Sequence, residues 1–233
     1  MSQVTFKRPD GKDASGYYVE PAAGSQAPGV VIVQEWWGVN DQIKGAARRF
    51  AERGYRALVP DLYRGQLGLD AKEAQHLMEG LNFGEAAGQD IRGAVQYLKT
   101  SSRKVGVTGF CMGGALTLLA AANVPELDAA VAWYGFPPLD YLDASQIKAP
   151  LLGHFATQDA FFKIEQVDLL EEKLTKAGVA YTFHRYDAQH AFANEVPIDP
   201  NIPTKYNAAA AETAWQRTLE FFDQHLGAPQ PAL

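Results

Sequence analysis

The chain has 233 residues, 47% of them hydrophobic and 21% charged, the balance of an ordinary globular protein and not of a disordered or fibrous one. Lys and Arg total 21 against 27 Asp and Glu, a net charge of -6, so the basic footprint of a nucleic-acid binder is missing. Cys111 is the single cysteine, which excludes an internal disulfide and makes a reducing, cytoplasmic location the expectation. No apolar run is long enough for a membrane span, and Met1–Thr5 opens without a signal pattern. One domain over residues 1–233 is expected, as a monomer or small homo-oligomer with no nucleic-acid or membrane partner.

In chain order, Val4–Arg8 and Tyr17–Glu20 read as a hairpin or meander through the turn Pro9-Asp10-Gly11. Gly29–Gln34 is β-branched and apolar on both faces, the pattern of a strand covered on both sides. Asn40 or Asp41 caps a helix running to Arg53, and Gly54 ends it. Tyr55–Pro60 is the next strand, and a polar, glycine-containing connection runs from Asp61 to Leu69. The spacing predicts helices over Ala71–Leu81 and Glu85–Lys99; in the second, Ile91, Ala94, Val95 and Leu98 form one buried stripe. Strand Lys104–Thr108 leads almost directly into helix Met112–Ala122. Strands Leu127–Tyr134 and Pro150–Phe155 follow, then helix Ile164–Ala177, strand Ala180–Tyr186 and helix Tyr206–Leu226. Gly227–Leu233 reads as a frayed, proline-rich tail. Such alternation implies an α/β fold: a mainly parallel central sheet with helices on both faces, its chemistry at the carboxyl ends of the strands.

The sharpest signal is Gly109-Phe110-Cys111-Met112-Gly113-Gly114, set between a strand and a helix. A nucleophile elbow needs small residues two positions either side of the nucleophile, and Gly109 and Gly113 stand there. No serine has glycines in both positions, so Cys111 is the candidate nucleophile; the competing reading is an inert buried cysteine. A helix N-terminus favours a thiolate, and the Met112 N–H points to where an acyl oxyanion would form.

In α/β-hydrolases the order along the chain is nucleophile, acid, histidine. Of the five histidines, His76 and His225 read as solvated, His184 as packing within a strand, and His154 as a structural strand-end residue. His190 follows the last strand in a loop and is the candidate base. Asp159, after the preceding strand, is the candidate acid; its alternative is a turn aspartate, and Asp187 and Asp140 are rivals. The loop Gln34-Glu35-Trp36-Trp37-Gly38 would supply the second oxyanion donor from the Trp36 N–H. Glu35 reads either as a carboxyl that exchanges a proton with the thiol or as an ordinary salt-bridged glutamate. A metal reading that joins His154, Asp159 and His190 has no ligand spacing behind it.

Taken together, Gln34–Val39, Pro60-Asp61-Leu62-Tyr63, Gly109–Gly114, Gln158-Asp159 and His190-Ala191-Phe192 resemble the dienelactone hydrolase family of the α/β-hydrolase superfamily, over about residues 15–225. The resemblance implies a Cys111–His190–Asp159 triad and an acyl-enzyme intermediate, with no metal or organic cofactor. It implies that the glutamate at Glu35 holds the resting thiol and takes its proton when substrate arrives. It also implies a small lactone or ester substrate, in the family a dienelactone met during degradation of aromatic compounds. Two family arginines that grip the substrate carboxylate have no counterpart here: Ala193-Asn194 stands where one would be, and Ala71–Leu81 contains none. Arg64 is the nearby candidate replacement, and Trp36, Trp37, Tyr134, Phe161 and Phe192 are candidates to line an aromatic, uncharged pocket or else to fill the core. A broad carboxylesterase or thioesterase is the second enzymatic reading, and a non-catalytic binding or redox-sensing protein is the reading from another class.

Overall fold

In the computed structural model, residues 1–196 and 199–227 are described; the tail expected from Gly227 lies, beyond that residue, outside them. Eight strands form one sheet in the order β1-β2-β4-β3-β5-β6-β7-β8. β1 (Ser2–Lys7) and β2 (Asp13–Val19) are the expected antiparallel hairpin, and β2 runs antiparallel to β4 (Arg56–Pro60). From β4 onward every neighbouring pair is parallel, through β3 (Gly29–Val33), β5 (Val105–Phe110), β6 (Ala129–Trp133), β7 (Leu151–Ala156) and β8 (Tyr181–Tyr186).

Alternation along β3 explains the layers. Val31 and Val33 face one core; Val30 and Ile32 face the other. The first core is closed by α4 (Arg92–Lys99), α5 (Met112–Asn123) and α6 (Ile164–Lys176), through Ala94, Leu98, Leu116, Val167 and Leu170. The second is closed by α1 (Asp41–Arg53) and α7 (Ala208–Leu226), through Ile43, Phe50, Trp215 and Phe222. Asn40 is the α1 cap, its side chain accepting the Ile43 N–H, and Gly54 ends the helix at φ 107°.

The helix expected over Glu85–Lys99 forms without interruption but changes type. After α2 (Ala71–Glu79), a short α3 (Phe83–Glu85) runs into a π-helical stretch, Ala86–Ile91, before α4 begins. The wide turn carries Asp90 inward, where it is buried and accepts from Arg64 Nη2 at 2.7 Å, with Arg8 Nη1 at 3.6 Å. The charge that draws Asp90 inward lies far away in sequence, so helical periodicity could not reveal the bulge. α7 starts two residues later than expected because Asn207 caps it, accepting the Ala210 N–H. No described helix is long and apolar enough to cross a membrane.

Candidate active site

The parallel strands end together, because β3 and β5 pair Val33 with Gly109, and β5 and β6 pair Phe110 with Trp133. Glu35, Cys111, Asp159 and His190 each follow the carboxyl end of a different parallel strand, so all four collect on one edge.

Cys111 sits at φ 58°, ψ -119°, a conformation that costs an L-residue on the order of 1–3 kcal/mol. The surroundings impose it. Its N–H donates to Trp133 O at 2.9 Å, while its own carbonyl accepts from Gly114 N at 2.8 Å and Ala115 N at 3.2 Å. A Cβ on Gly109 would strike the Gly113 carbonyl, and one on Gly113 would strike the Val33 carbonyl. Gly135, which the sequence did not single out, is equally constrained, since its Cα faces the Cys111 carbonyl. Met112 opens α5, so its N–H belongs to the first turn, where intrahelical acceptors are lacking.

His190 Nε2 lies 3.1 Å from Cys111 Sγ, and His190 Nδ1 lies 2.7 Å from Asp159 Oδ2. With Nδ1–H donating to the carboxylate, Nε2 is left to exchange a proton with the sulfur. Backbone bonds between the two loops set this distance: Thr157 N donates to Tyr186 O at 2.9 Å and Gln158 N to Ala188 O at 3.0 Å. Asp159 also makes the contacts of a turn aspartate: Oδ1 accepts the N–H groups of Phe161 and Phe162, while Oδ2 faces His190. Burial opposes charging His190. The Cys111 sulfur and Asp159 outweigh that effect and raise its pKa to about 10.

Glu35 is nearly buried, and burial pushes its pKa up to about 7, against the opposing influences of His190 and of the Asn194 hydrogen bond. Its partner is Asn194, whose Nδ2 donates to Glu35 Oε1 at 3.1 Å. The thiol therefore pairs with His190 and the glutamate with an amide, unlike the resting Glu35–thiol pairing implied by the resemblance. Gln34, wholly buried, accepts the Leu62 N–H at 3.0 Å and ties this loop to the end of β4. A glutamine beside a catalytic candidate carries no sequence signal for such a clamp.

Glu35, Cys111, His190 and Asn194 open onto a cavity of about 340 Å³. Trp36, Trp37 and Phe161 line it as expected, joined by Met78, Phe83, Phe136, Pro137, Pro138 and Phe162. Two expected lining residues do not, nor does Arg64, the expected carboxylate-binding arginine. Arg64 is held by Asp90 and by the Asp61 carbonyl, at 3.1 Å, and is not part of the wall. Tyr134 and Phe192 are buried behind His190, their rings 5.1 Å apart; the Tyr134 ring lies 5.3 Å from the imidazole. Glu35 and Asp199 supply carboxyl groups to the wall, and none of its described residues is a lysine or arginine.

The other candidates are placed elsewhere. His154 is buried with both ring nitrogens engaged, by Tyr186 at 2.9 Å and Thr218 at 2.8 Å, which separates it from the Asp159–His190 pair. Asp187 accepts from Gln158, and Asp140 lies exposed on a single 3₁₀ turn.

A family model for dienelactone hydrolases matches residues 14–226, nearly the whole chain. The chain belongs to the dienelactone hydrolase family. Protein usf of Aquifex pyrophilus is 35% identical over 237 residues, covering 97% of this chain and 100% of its own. A Salmonella typhi protein provisionally named carboxymethylenebutenolidase is 35% identical over 244 residues, covering 96% and 87%. Among solved structures, a provisionally named dienelactone hydrolase from Klebsiella pneumoniae superposes with a TM-score of 0.79 at 27% identity, covering 96% of this chain and 98% of that one. Thermogutta terrifontis esterase 2, at 17% identity and a TM-score of 0.71, shares the α/β-hydrolase fold over 98% and 96%. As a member of the dienelactone hydrolase family, the chain is a hydrolase of ester bonds.

Proposed function

We propose that this dienelactone hydrolase relative is a cysteine hydrolase of uncharged lactones or small esters. The observation that carries the reading is the continuous chain Cys111 Sγ–His190–Asp159, at 3.1 and 2.7 Å, opening into an apolar cavity. His190 takes the Cys111 proton, and the thiolate attacks the carbonyl carbon. The oxyanion meets the N–H groups of Met112 and Trp36. His190 then returns the proton to the leaving alkoxide, which in a lactone remains tethered to the acyl group. Water, deprotonated by His190, attacks the thioester and releases Cys111 and the acid.

The substrate class follows from the wall. Desolvating a carboxylate with no cation to pair it costs several kcal/mol, and this cavity offers aromatic rings and two carboxyl groups instead. Dienelactone, which carries a carboxylate, is accordingly a poor fit, and neutral esters or lactones are favoured. The kcat/KM for dienelactone against p-nitrophenyl acetate tests this. A ratio below one is expected; a ratio far above one would overturn the neutral-substrate reading. Cys111→Ala should abolish turnover of both while leaving the fold intact, and retained hydrolysis would remove Cys111 from the reaction.

A further inference from the structure

Behind Glu35 lies a second cavity of about 230 Å³, and Glu35 is the one described residue that lines both. Its character is different. Asp41, Gln42 and Arg49 of α1 line it with Glu195, Tyr134 and Trp215. Asp41 is exposed and Gln42, Gly45 and Arg49 are half-buried, so this space borders bulk solvent. Its polar walls suit water, whereas the substrate cavity is walled by rings.

Glu35 stands between the two spaces, with its carboxyl group held by Asn194. Asn194 Oδ1 accepts the Val196 N–H at 3.0 Å, which turns Nδ2 toward Glu35 Oε1. Glu35 Oε2 has no hydrogen bond to a described residue, and among the described residues no buried side-chain oxygen or nitrogen is left without a partner. Oε2 therefore faces open cavity space. The charged and titratable groups around Glu35 are His190 and Cys111 on the substrate side, Tyr134 beside it, and Asp41, Arg49 and Glu195 behind. Arg49 is engaged by Glu212 at 3.1 Å and by the Trp215 ring, and among the described residues no lysine or arginine pairs with Glu35.

Hydrolysis at neutral pH converts an ester and water into a carboxylate, an alcohol and one proton. An acyl group that fills the aromatic cavity blocks the front way out for that proton. We propose that Glu35 receives the proton of each turnover from the His190 side and releases it to solvent through the second cavity. The proposal rests on the hydrolase reading above. A carboxyl group titrating near neutrality can both accept and release a proton at working pH.

Narrowing the rear cavity tests it. Gly45 lines that cavity, and a Cβ there would meet nothing nearer than Arg48 Nη2 at 3.8 Å, so Gly45→Leu adds a side chain at the cavity wall with no clash at its Cβ. Gly45→Ala is the open-cavity control. For p-nitrophenyl acetate, whose acyl group leaves the front open, kcat should stay within about two-fold of the parent; for a p-nitrophenyl ester with a cavity-filling aryl-acyl group it should fall roughly five-fold or more. In a Glu35→Gln background, Gly45→Leu should add no further loss. Equal effects on both esters, or no effect on either, would overturn the proposal. Gln42→Leu, which replaces a polar lining group, gives the same comparison if Gly45→Leu does not fold. Absence of any ester turnover by the parent protein would instead overturn the hydrolase reading.

Discussion

Gly135 and Cys111 are locked together: the Cα of Gly135 faces the Cys111 carbonyl so closely that a Cβ would overlap that oxygen. The same oxygen accepts two N–H groups at the start of α5, so it cannot withdraw. The strand end after β6 thus braces the elbow after β5 from the side.

Gly135→Ala should therefore destabilise by about 3 kcal/mol or more, because backbone must shift against backbone. Gly178→Ala is the contrast, with φ 73° but open space around its Cα, and should cost only on the order of 1 kcal/mol. Urea unfolding of the two variants checks the difference; similar losses would mean that the Gly135 contact relaxes easily.

Asp159→Asn keeps an Oδ1 to close the turn over Phe161 and Phe162 but replaces the carboxylate that fixes the His190 tautomer. Stability should change by about 1 kcal/mol or less, while kcat falls on the order of 10²–10³-fold. Asp159→Ala should lose the turn as well, so its thermal midpoint should drop below that of Asp159→Asn. Equal midpoints would deny Oδ1 its structural share.

Glu35 should make stability fall as pH rises. Below about pH 4.5 both folded and unfolded chains hold its proton; between 4.5 and about 7 only the folded chain does, and above that neither does. The raised pKa thus corresponds to stability that is complete at low pH and lost through this window, on the order of 3 kcal/mol. Glu35→Gln has no such titration. Relative to the parent it should gain stability between pH 4.5 and pH 8, read from denaturant midpoints at both values. A pH-independent difference between the two proteins would place the glutamate in a solvated site.

Cys111→Gly should abolish turnover yet stabilise the protein by about 1 kcal/mol, because glycine accepts φ 58° without the cost a side chain incurs. Cys111→Ala keeps the Cβ and should lack that gain. Thermal unfolding of both variants separates strain relief from simple loss of the thiol.

Much of this arrangement was legible along the chain. The two-face apolar run Gly29–Val33 predicted a covered parallel strand, and the glycines around Cys111 predicted a tight strand-to-helix turn. Both patterns are local. A hydrophobic period and a steric requirement two residues away are written next to the residues they govern. The placement of Asp159 and His190 after successive strands was equally readable, since strand ends in a parallel sheet share one edge.

Partners across the fold were another matter. Arg64 was expected to reach substrate, but the π-helical turn delivers Asp90 to it. Tyr134 and Phe192 have the residue types of a pocket wall, yet they lie one layer deeper, behind the imidazole.

From the sequence alone came the sheet, the strand-to-helix turn at Cys111 and the order of Cys111, Asp159 and His190 along the strand ends, because each rests on spacings of a few residues. Only the tertiary structure decided which group Glu35 faces, which residues wall the cavity and which arginine is already taken. Glu35 and Asn194 stand 159 residues apart, and their contact exists only because strand register brings two loops to the same edge.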